Sequence, residues 1–134
     1  MTATDKDILD DRIEVALAAY VECALWSSLH YESEHDDNPV PFDDIAAPDD
    51  FAPEALASMW DDVAAFIADQ SANLDAANIS DEQAGHDFWL TRNCHGAGFW
   101  DRGNGEIGEA LADAARVYGE CDLYLGDDGK VYVS

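Results

Sequence analysis

The sequence predicts a single α+β domain, in which two long helices and a shorter third helix pack on a small antiparallel sheet of three strands. Two long segments repeat apolar residues at helical spacing, and the C-terminal part contains short apolar runs around turn residues. A chain of 134 residues, 48% of them hydrophobic, is long enough to bury one core. Residues 1–80 are expected to be helical and strongly acidic, and residues 81–134 to follow the order β-α-β-β.

The predicted helices are marked by apolar stripes. Residues 7–30 and residues 53–75 each repeat apolar side chains every three or four positions, which is typical of helices with one buried face. Residues 106–118 form the third predicted helix, and Gly119 is its expected C-cap. Between the first two helices, residues 31–50 contain three prolines, eight acidic residues and no Lys or Arg, and we predict a loop there.

The predicted strands all lie in the C-terminal part. Residues 86–92, with the sequence HDFWLTR, form a short run rich in aromatic side chains that is typical of a strand. Residues 121–125 and 130–133 flank a Gly-Asp-Asp-Gly turn and predict a hairpin. Tyr124 and Tyr132 are expected on its outer face. The hairpin residues expected to face the core are Leu123, Leu125, Val131 and Val133.

Charge is the most unusual property of the chain. Thirty Asp and Glu residues oppose six Lys and Arg residues, so the formal net charge is −24. This balance argues against direct binding to nucleic acid or to anionic membranes, because both require basic side chains. The sequence has no apolar run of membrane-spanning length and begins without a secretory signal, which predicts a cytoplasmic protein. The spacing of the cysteines favours reduced thiols at Cys23, Cys94 and Cys121.

Residues 86–103 read HDFWLTRNCHGAGFWDRG. This segment resembles one that occurs in a family of small, mostly uncharacterised proteins of tailed phages and prophages. The likeness continues through the predicted third helix into DLYLGDDGKVYV, and it departs at Cys94, where the family usually carries Gly. The resemblance implies a phage or mobile-element context, in which the protein would act in the cytoplasm of the host cell.

The same segment concentrates polar side chains that could bind a ligand. The set of His86, His95 and Asp101 contains residue types that suit divalent metals, but its spacing fits no zinc motif, and we predict neither a metal nor a cofactor. The competing interpretation is that the aromatic residues here belong to the core and the polar ones satisfy loop backbone groups. The residues of the candidate ligand site are His86, Arg92, Asn93, His95, Trp100, Asp101 and Arg102.

The leading functional interpretation follows from the acidic residues of the first 80 positions. A protein that holds carboxylates in an ordered array can occupy a cationic groove that otherwise binds DNA. We therefore expect a non-enzymatic, phage-type nucleic-acid mimic that inhibits a basic host DNA-binding defence protein, of the anti-CRISPR or anti-restriction type. The expected mimic surface consists of Glu32, Glu34, Asp36, Asp37, Asp43, Asp44, Asp49, Asp50, Asp61 and Asp62.

Two alternatives stay open. The first is a small ligand- or metal-binding phage accessory protein, or an enzyme, with its site in the loop at residues 86–102. The second is an acidic protein adapted to high salt, whose carboxylates cover the whole surface without any mimicry. The chain's 21 Asp and 9 Glu residues and its two lysines fit that second alternative.

Overall fold

The computed structural model describes residues 3–33, 35–94 and 98–134, and within them it contains four α-helices and four short strands. The helices are α1 (Ala3–Ser27), α2 (Pro53–Ala76), α3 (Asp81–Arg92) and α4 (Gly105–Arg116). Strands β1 (Leu29–His30) and β2 (Val40–Pro41) form one antiparallel pair, and β3 (Leu123–Leu125) and β4 (Val131–Val133) form another. Short 3₁₀ helices occur at Phe42–Asp44, Pro48–Asp50 and Phe99–Asp101.

The predicted three-stranded sheet is wrong, because residues 86–92 belong to helix α3. The helix begins after Ser80, whose hydroxyl accepts a hydrogen bond from the backbone N–H of Gln83 at 3.1 Å. Acidic residues fill the first turn, where the helix dipole favours negative charge. The run Phe88 to Leu90 is buried on successive positions, and such a continuous apolar run does not distinguish a strand from a buried helix.

The helices predicted from apolar stripes are confirmed, with shifted ends. Helix α1 stops at Ser27, because the chain then pairs β1 with β2 and the carbonyl of Ser28 accepts a hydrogen bond from the N–H of Phe42. Helix α4 ends at Arg116, and Gly119 follows in the left-handed conformation, with φ of 74°. The predicted loop at 31–50 contains β2 and two of the 3₁₀ helices, so more of it is regular than the prolines suggested.

Helix α3 lies at the centre of the packing. The ring of Tyr20 on α1 contacts Phe88 at 5.3 Å and Trp89 at 5.2 Å between centroids. Phe66 on α2 stacks on the other side of Phe88, with centroids 4.3 Å apart. The indole N–H of Trp89 donates to the hydroxyl of Ser27 at 2.9 Å. Buried residues from both halves of the chain form one hydrophobic cluster around these rings.

The C-terminal hairpin is confirmed over most of its predicted length. Val131 is fully buried, and the rings of Tyr124 and Tyr132 stack with centroids 5.5 Å apart. Tyr124 is exposed as expected, whereas Tyr132 is partly buried and packs against the core. Leu125 was expected to face the core but is 38% exposed. Leu125 stands next to the turn, in which the N–H of Gly126 donates to the carbonyl of Lys130, and it pairs with the buried Val131 across the hairpin.

Gly85 sets the distance between α1 and α3. A Cβ atom at this position would overlap the backbone carbonyl oxygen of Ala16 on α1. The contact is made by backbone on both sides, so it cannot be relieved by rotating a side chain. The two helices therefore approach this closely only because position 85 carries no side chain.

Replacing Gly85 with alanine tests this close approach. Helix propensity alone would favour alanine by about 1 kcal/mol, whereas the overlap with Ala16 should cost about 3 kcal/mol. We expect G85A to lower the free energy of unfolding by about 2 kcal/mol, measured by urea denaturation. The control, A68L at an exposed position of α2, should change it by less than about 0.5 kcal/mol. Unchanged stability of G85A would contradict the backbone contact.

Candidate functional site

The side chains of the candidate ligand site do not share one cavity among the described residues. His86 and Arg102 meet at Asp87, whereas Arg92 points into the interior and Asn93 contacts the C-terminal segment. Trp100 lies on the last 3₁₀ helix and is 47% exposed. His95 and the side chain of Asp101 lie outside the part of the chain that is described.

Arg92 is a buried arginine that joins three parts of the fold. Its guanidinium donates to the Tyr20 hydroxyl at 2.9 Å, to the Asp62 carboxylate at 2.8 Å, and to the carbonyls of Tyr118 and Gly119. Burial raises the pKa of the Tyr20 hydroxyl, although the charge of Arg92 opposes the shift. Arg92 therefore connects α1, α2 and the segment after α4, and its donors are used inside the protein.

Asp87 lies in the same polar segment but was not included in the candidate ligand site, and it is completely buried. Arg102 donates to both of its carboxylate oxygens, at 2.8 and 3.2 Å, and Gln83 donates to one of them at 2.7 Å. The ring of His86 lies 3.3 Å from the same carboxylate. A buried charge needs such partners to offset its lost hydration. The available signal was an aspartate directly before the apolar run Phe88 to Leu90.

Asn93 ends α3 and holds the C-terminal segment beside it. Its side-chain oxygen accepts from the N–H of Cys121 at 2.8 Å, and its amide donates to the carbonyl of Trp89 at 3.0 Å. Next to it lies an open cavity of about 560 Å³. The cavity is lined by Ser27, Ser28, Leu29, Tyr31, Trp89, Asn93, Glu120, Asp122 and Leu123.

Two aspartate doublets of the expected mimic surface lie on equivalent positions of short helices. Asp43 and Asp44 are the second and third residues of one 3₁₀ helix, and Asp49 and Asp50 are the second and third residues of the next. All four are exposed. The two doublets therefore occupy the same positions of two successive turns, both of them exposed to solvent.

The backbone that carries these doublets is anchored at both ends by buried phenylalanines. Phe42 is 1% exposed and packs edge-on against His30, while Phe51 is 4% exposed and pairs with Val131 of the hairpin. A further hydrogen bond joins the N–H of Ala52 to the carbonyl of Val131 at 2.9 Å. We call residues 29–52 the acidic segment. It is tied to α1 at one end and to β4 at the other.

Two aspartates of the acidic segment also hold its turns. The Asp36 carboxylate accepts hydrogen bonds from the backbone N–H groups of Glu32 and Asn38, at 3.0 and 2.9 Å. These bonds, the first of them most strongly, lower the pKa of Asp36. Asp50 likewise accepts from the N–H of Ala47 at 2.8 Å. Asp37 and Glu32 are exposed beside the first turn, and Glu34 lies outside the described residues.

The last predicted doublet, on α2, divides between two roles. Asp61 is exposed, whereas Asp62 is bound by Arg92. Each arginine of the chain is in fact bound by an aspartate of α2, α3 or α4, at Asp75 and Asp81 for Arg12, Asp87 for Arg102 and Asp113 for Arg116. Within the described residues, no Arg or Lys forms an ion pair with a carboxylate of the acidic segment.

No protein-family model, curated protein or solved structure matches the chain. The likeness of residues 86–103 to phage proteins therefore stays a prediction. No three His, Cys, Asp or Glu side chains in the described ranges are grouped so that they could hold a metal ion. Of the described helices, none combines the length and the apolar character needed to cross a bilayer.

The role of Arg92 can be tested by a charge-conserving substitution. We expect R92K to lower the free energy of unfolding by about 3 kcal/mol, because an ammonium cannot reach four acceptors and leaves buried groups unpaired. The matched control is R116K, which alters an exposed pair with Asp113 and should change stability by less than about 0.5 kcal/mol. Equal effects of the two variants in urea denaturation would refute the structural role of Arg92.

The turn at Asp36 predicts a pH dependence. Because its folded-state pKa is lowered, the contribution of this carboxylate to stability is present above the unfolded pKa and is lost as pH falls through the folded pKa. We expect an NMR titration of the Asp36 carboxyl carbon to have its midpoint below the ~3.9 of an unstructured aspartate. A peptide of residues 31–40 should give the ordinary value. Identical midpoints in protein and peptide would show that the turn is not formed.

Proposed function

We propose that this protein is an acidic, non-enzymatic inhibitor that occupies the nucleic-acid-binding groove of a basic protein. The observation that supports this proposal best is the acidic segment itself. Its exposed carboxylates lie on a backbone with defined turns, and the arginines of the chain are bound elsewhere. The negative electrostatic potential of this segment can therefore attract a cationic partner.

The spacing of the charges is of the right order for such a groove. A 3₁₀ helix rises about 2 Å per residue, so each aspartate doublet places two charges within one short turn. One strand of DNA carries a phosphate about every 3.4 Å along its axis. Along the axis of its own turn, each doublet, Asp43 with Asp44 and Asp49 with Asp50, therefore spaces its charges at least as closely as one strand of a nucleic acid does.

The anchoring of the segment matters for affinity. A flexible acidic tail loses conformational entropy when it is ordered by a partner, and this loss weakens binding. Here Phe42, Phe51 and the hydrogen bonds of Asp36 and Asp50 hold the backbone before any partner arrives. The acidic segment can therefore bind with less ordering than an unstructured acidic tail of the same charge.

The class of target follows from the resemblance of residues 86–103 to phage proteins. A phage protein that blocks a DNA-binding groove gains most from a host protein that attacks phage DNA. We therefore propose a bacterial DNA-handling defence protein as the partner, of the kind found in CRISPR surveillance complexes or restriction enzymes. The partner would be basic and would compete for the same surface with duplex DNA.

A charge-matched pair of variants tests this function. The first, D37N/D43N/D44N/D49N, removes four exposed carboxylates of the acidic segment and leaves the hydrogen-bonded Asp36 and Asp50 in place. The second removes the same charge from exposed positions elsewhere, as D7N/D11N/E109Q/D127N. Both proteins and the wild type are immobilised and exposed to a nuclease-treated bacterial lysate at low salt. Bound proteins are then eluted with a short duplex DNA or with polyglutamate of equal charge.

We expect the wild type and the second variant to retain a protein that duplex DNA releases and polyglutamate does not. Binding should weaken with added salt, and the first variant should bind at least about tenfold more weakly, because it loses the steering charges. Two results would refute the proposal. One is the absence of any retained protein that duplex DNA releases. The other is an equal loss of binding affinity in both variants, which a uniformly acidic surface predicts.

A further inference from the structure

An open groove runs along α1 and contains a half-exposed tryptophan. Three adjoining depressions of about 260, 330 and 410 Å³ share Glu22, Trp26 or Pro48 among their lining residues. Together they lie between α1, the acidic segment and the first turns of α2 and α3. We call this feature the Trp26 groove. Its apolar lining residues are Leu17, Val21, Leu25, Trp26, Ala46 and Leu56.

The rim of the Trp26 groove is acidic on every side. The carboxylates among its lining residues come from α1, the acidic segment and α3, and its lining includes no Lys or Arg. Charges at the rim of an apolar surface select the partner and steer its approach. The acidic lining residues are Glu14, Glu22, Asp43, Asp49 and Glu82.

Trp26 stands in the middle of this surface. Its side chain is 49% exposed, and its indole stacks on His86 with ring centroids 5.6 Å apart. The imidazole is itself set by the buried Asp87 beside it, so the indole is supported from one side. An exposed indole gives both apolar area and a face that attracts Arg and Lys side chains, more strongly where acids surround it.

The dimensions of the groove suit a short helix. From Glu14 to Trp26 its α1 wall spans thirteen residues, and the twelve steps between them cover about 18 Å at the rise of an α-helix. A partner segment of three to four helical turns would cover this length. If its apolar residues faced the floor of the groove and its basic residues faced the acidic rim, such a segment would match both the shape and the charge of the groove.

We propose that the Trp26 groove binds a basic amphipathic helical segment of a partner protein, with an Arg or Lys placed against Trp26 and Glu22. The inference rests on the proposed function, since it names the element of the basic partner that is held. The Trp26 groove adds an apolar contact to the electrostatic attraction of the acidic segment. The groove thereby selects among basic proteins.

The test uses a synthetic peptide of leucine and lysine that forms an amphipathic helix of four turns. Its controls are a scrambled sequence of the same composition and a leucine-glutamate peptide of the same pattern. In NMR titrations we expect the Leu/Lys peptide alone to shift the indole N–H of Trp26 and the amides of residues 14–26 and 43–49. W26A should weaken this binding at least tenfold, and W100A, which removes a tryptophan of nearly equal exposure, should leave it unchanged.

A second pair of variants covers the event that W26A does not fold. A18R places a bulky positive charge at an exposed position of the groove wall, and A68R places the same charge on the exposed face of α2. We expect A18R to weaken peptide binding at least tenfold and A68R to have little effect. Equal affinities of A18R and A68R, or peptide shifts spread over all acidic surfaces, would overturn the inference.

The two proposals fail separately. In one outcome, a DNA-displaceable partner no longer binds D37N/D43N/D44N/D49N but binds A18R and A68R equally well. The groove is then refuted and the proposed function stands. If the Leu/Lys peptide docks in the Trp26 groove but no retained protein is released by duplex DNA, the proposed function is refuted and the groove stands.

Discussion

The fold of this chain depends on how its few arginines are bound by its many carboxylates. Arg92 joins α3 to α1, to α2 and to the segment after α4. Arg12 joins the start of α1 to the end of α2 and the start of α3, through Asp75 at 3.0 Å and Asp81 at 2.9 Å. Such pairs contribute to stability chiefly because breaking one leaves a charged group without its partner. Cations used in this way are not available to neutralise the surface.

The acidic segment is ordered despite its own repulsion, and two kinds of contact account for this. Buried Phe42 and Phe51 fix the two ends of its stretch 43–50 through apolar area, which salt and pH hardly affect. Asp36 and Asp50 both accept hydrogen bonds from backbone N–H groups, and the bonds to Asp36 lower the pKa of its carboxyl. The same carboxylates that repel one another are thus needed, in part, to close the turns. Salt at physiological ionic strength screens the repulsion between exposed charges that lie more than about 8 Å apart, and it leaves the phenylalanine contacts intact.

The sequence predicted the elements that local patterns determine. The apolar stripe of α2 and the turn glycines of the hairpin are visible in sequence because the relevant residues are neighbours on one face or in one turn. It failed at α3, since a helix buried nearly all round has no polar face to reveal its period. The fit of Gly85 against Ala16 joins residues far apart in sequence and leaves no local pattern.

The candidate site shows the same limit. The candidate ligand residues were grouped because they are close in sequence. On a helix of 3.6 residues per turn, however, Arg92 and His86 point in different directions, and they contact Tyr20 and Trp26 respectively. Arg92 and Asp87 are tertiary links, and only their partners on other elements reveal this. The exposure of the acidic doublets at 43/44 and 49/50 was easier to predict, because exposure of a proline-rich acidic stretch follows from local composition. The Trp26 groove could not be predicted from the sequence, since its lining residues come from four separate segments.

Charge and shape contribute different things to the proposed interaction. An acidic segment attracts any basic protein, and the attraction acts mainly on the rate of encounter and falls as salt screens it. A cell contains many basic nucleic-acid-binding proteins, so attraction alone would distribute the inhibitor among them. Selection requires a contact that only one partner completes, and an apolar floor around Trp26 inside an acidic rim supplies such a contact. Because the groove and the acidic segment share Asp43 and Asp49, one partner surface can contact both at once. The apolar contact in the groove then determines how slowly the complex dissociates.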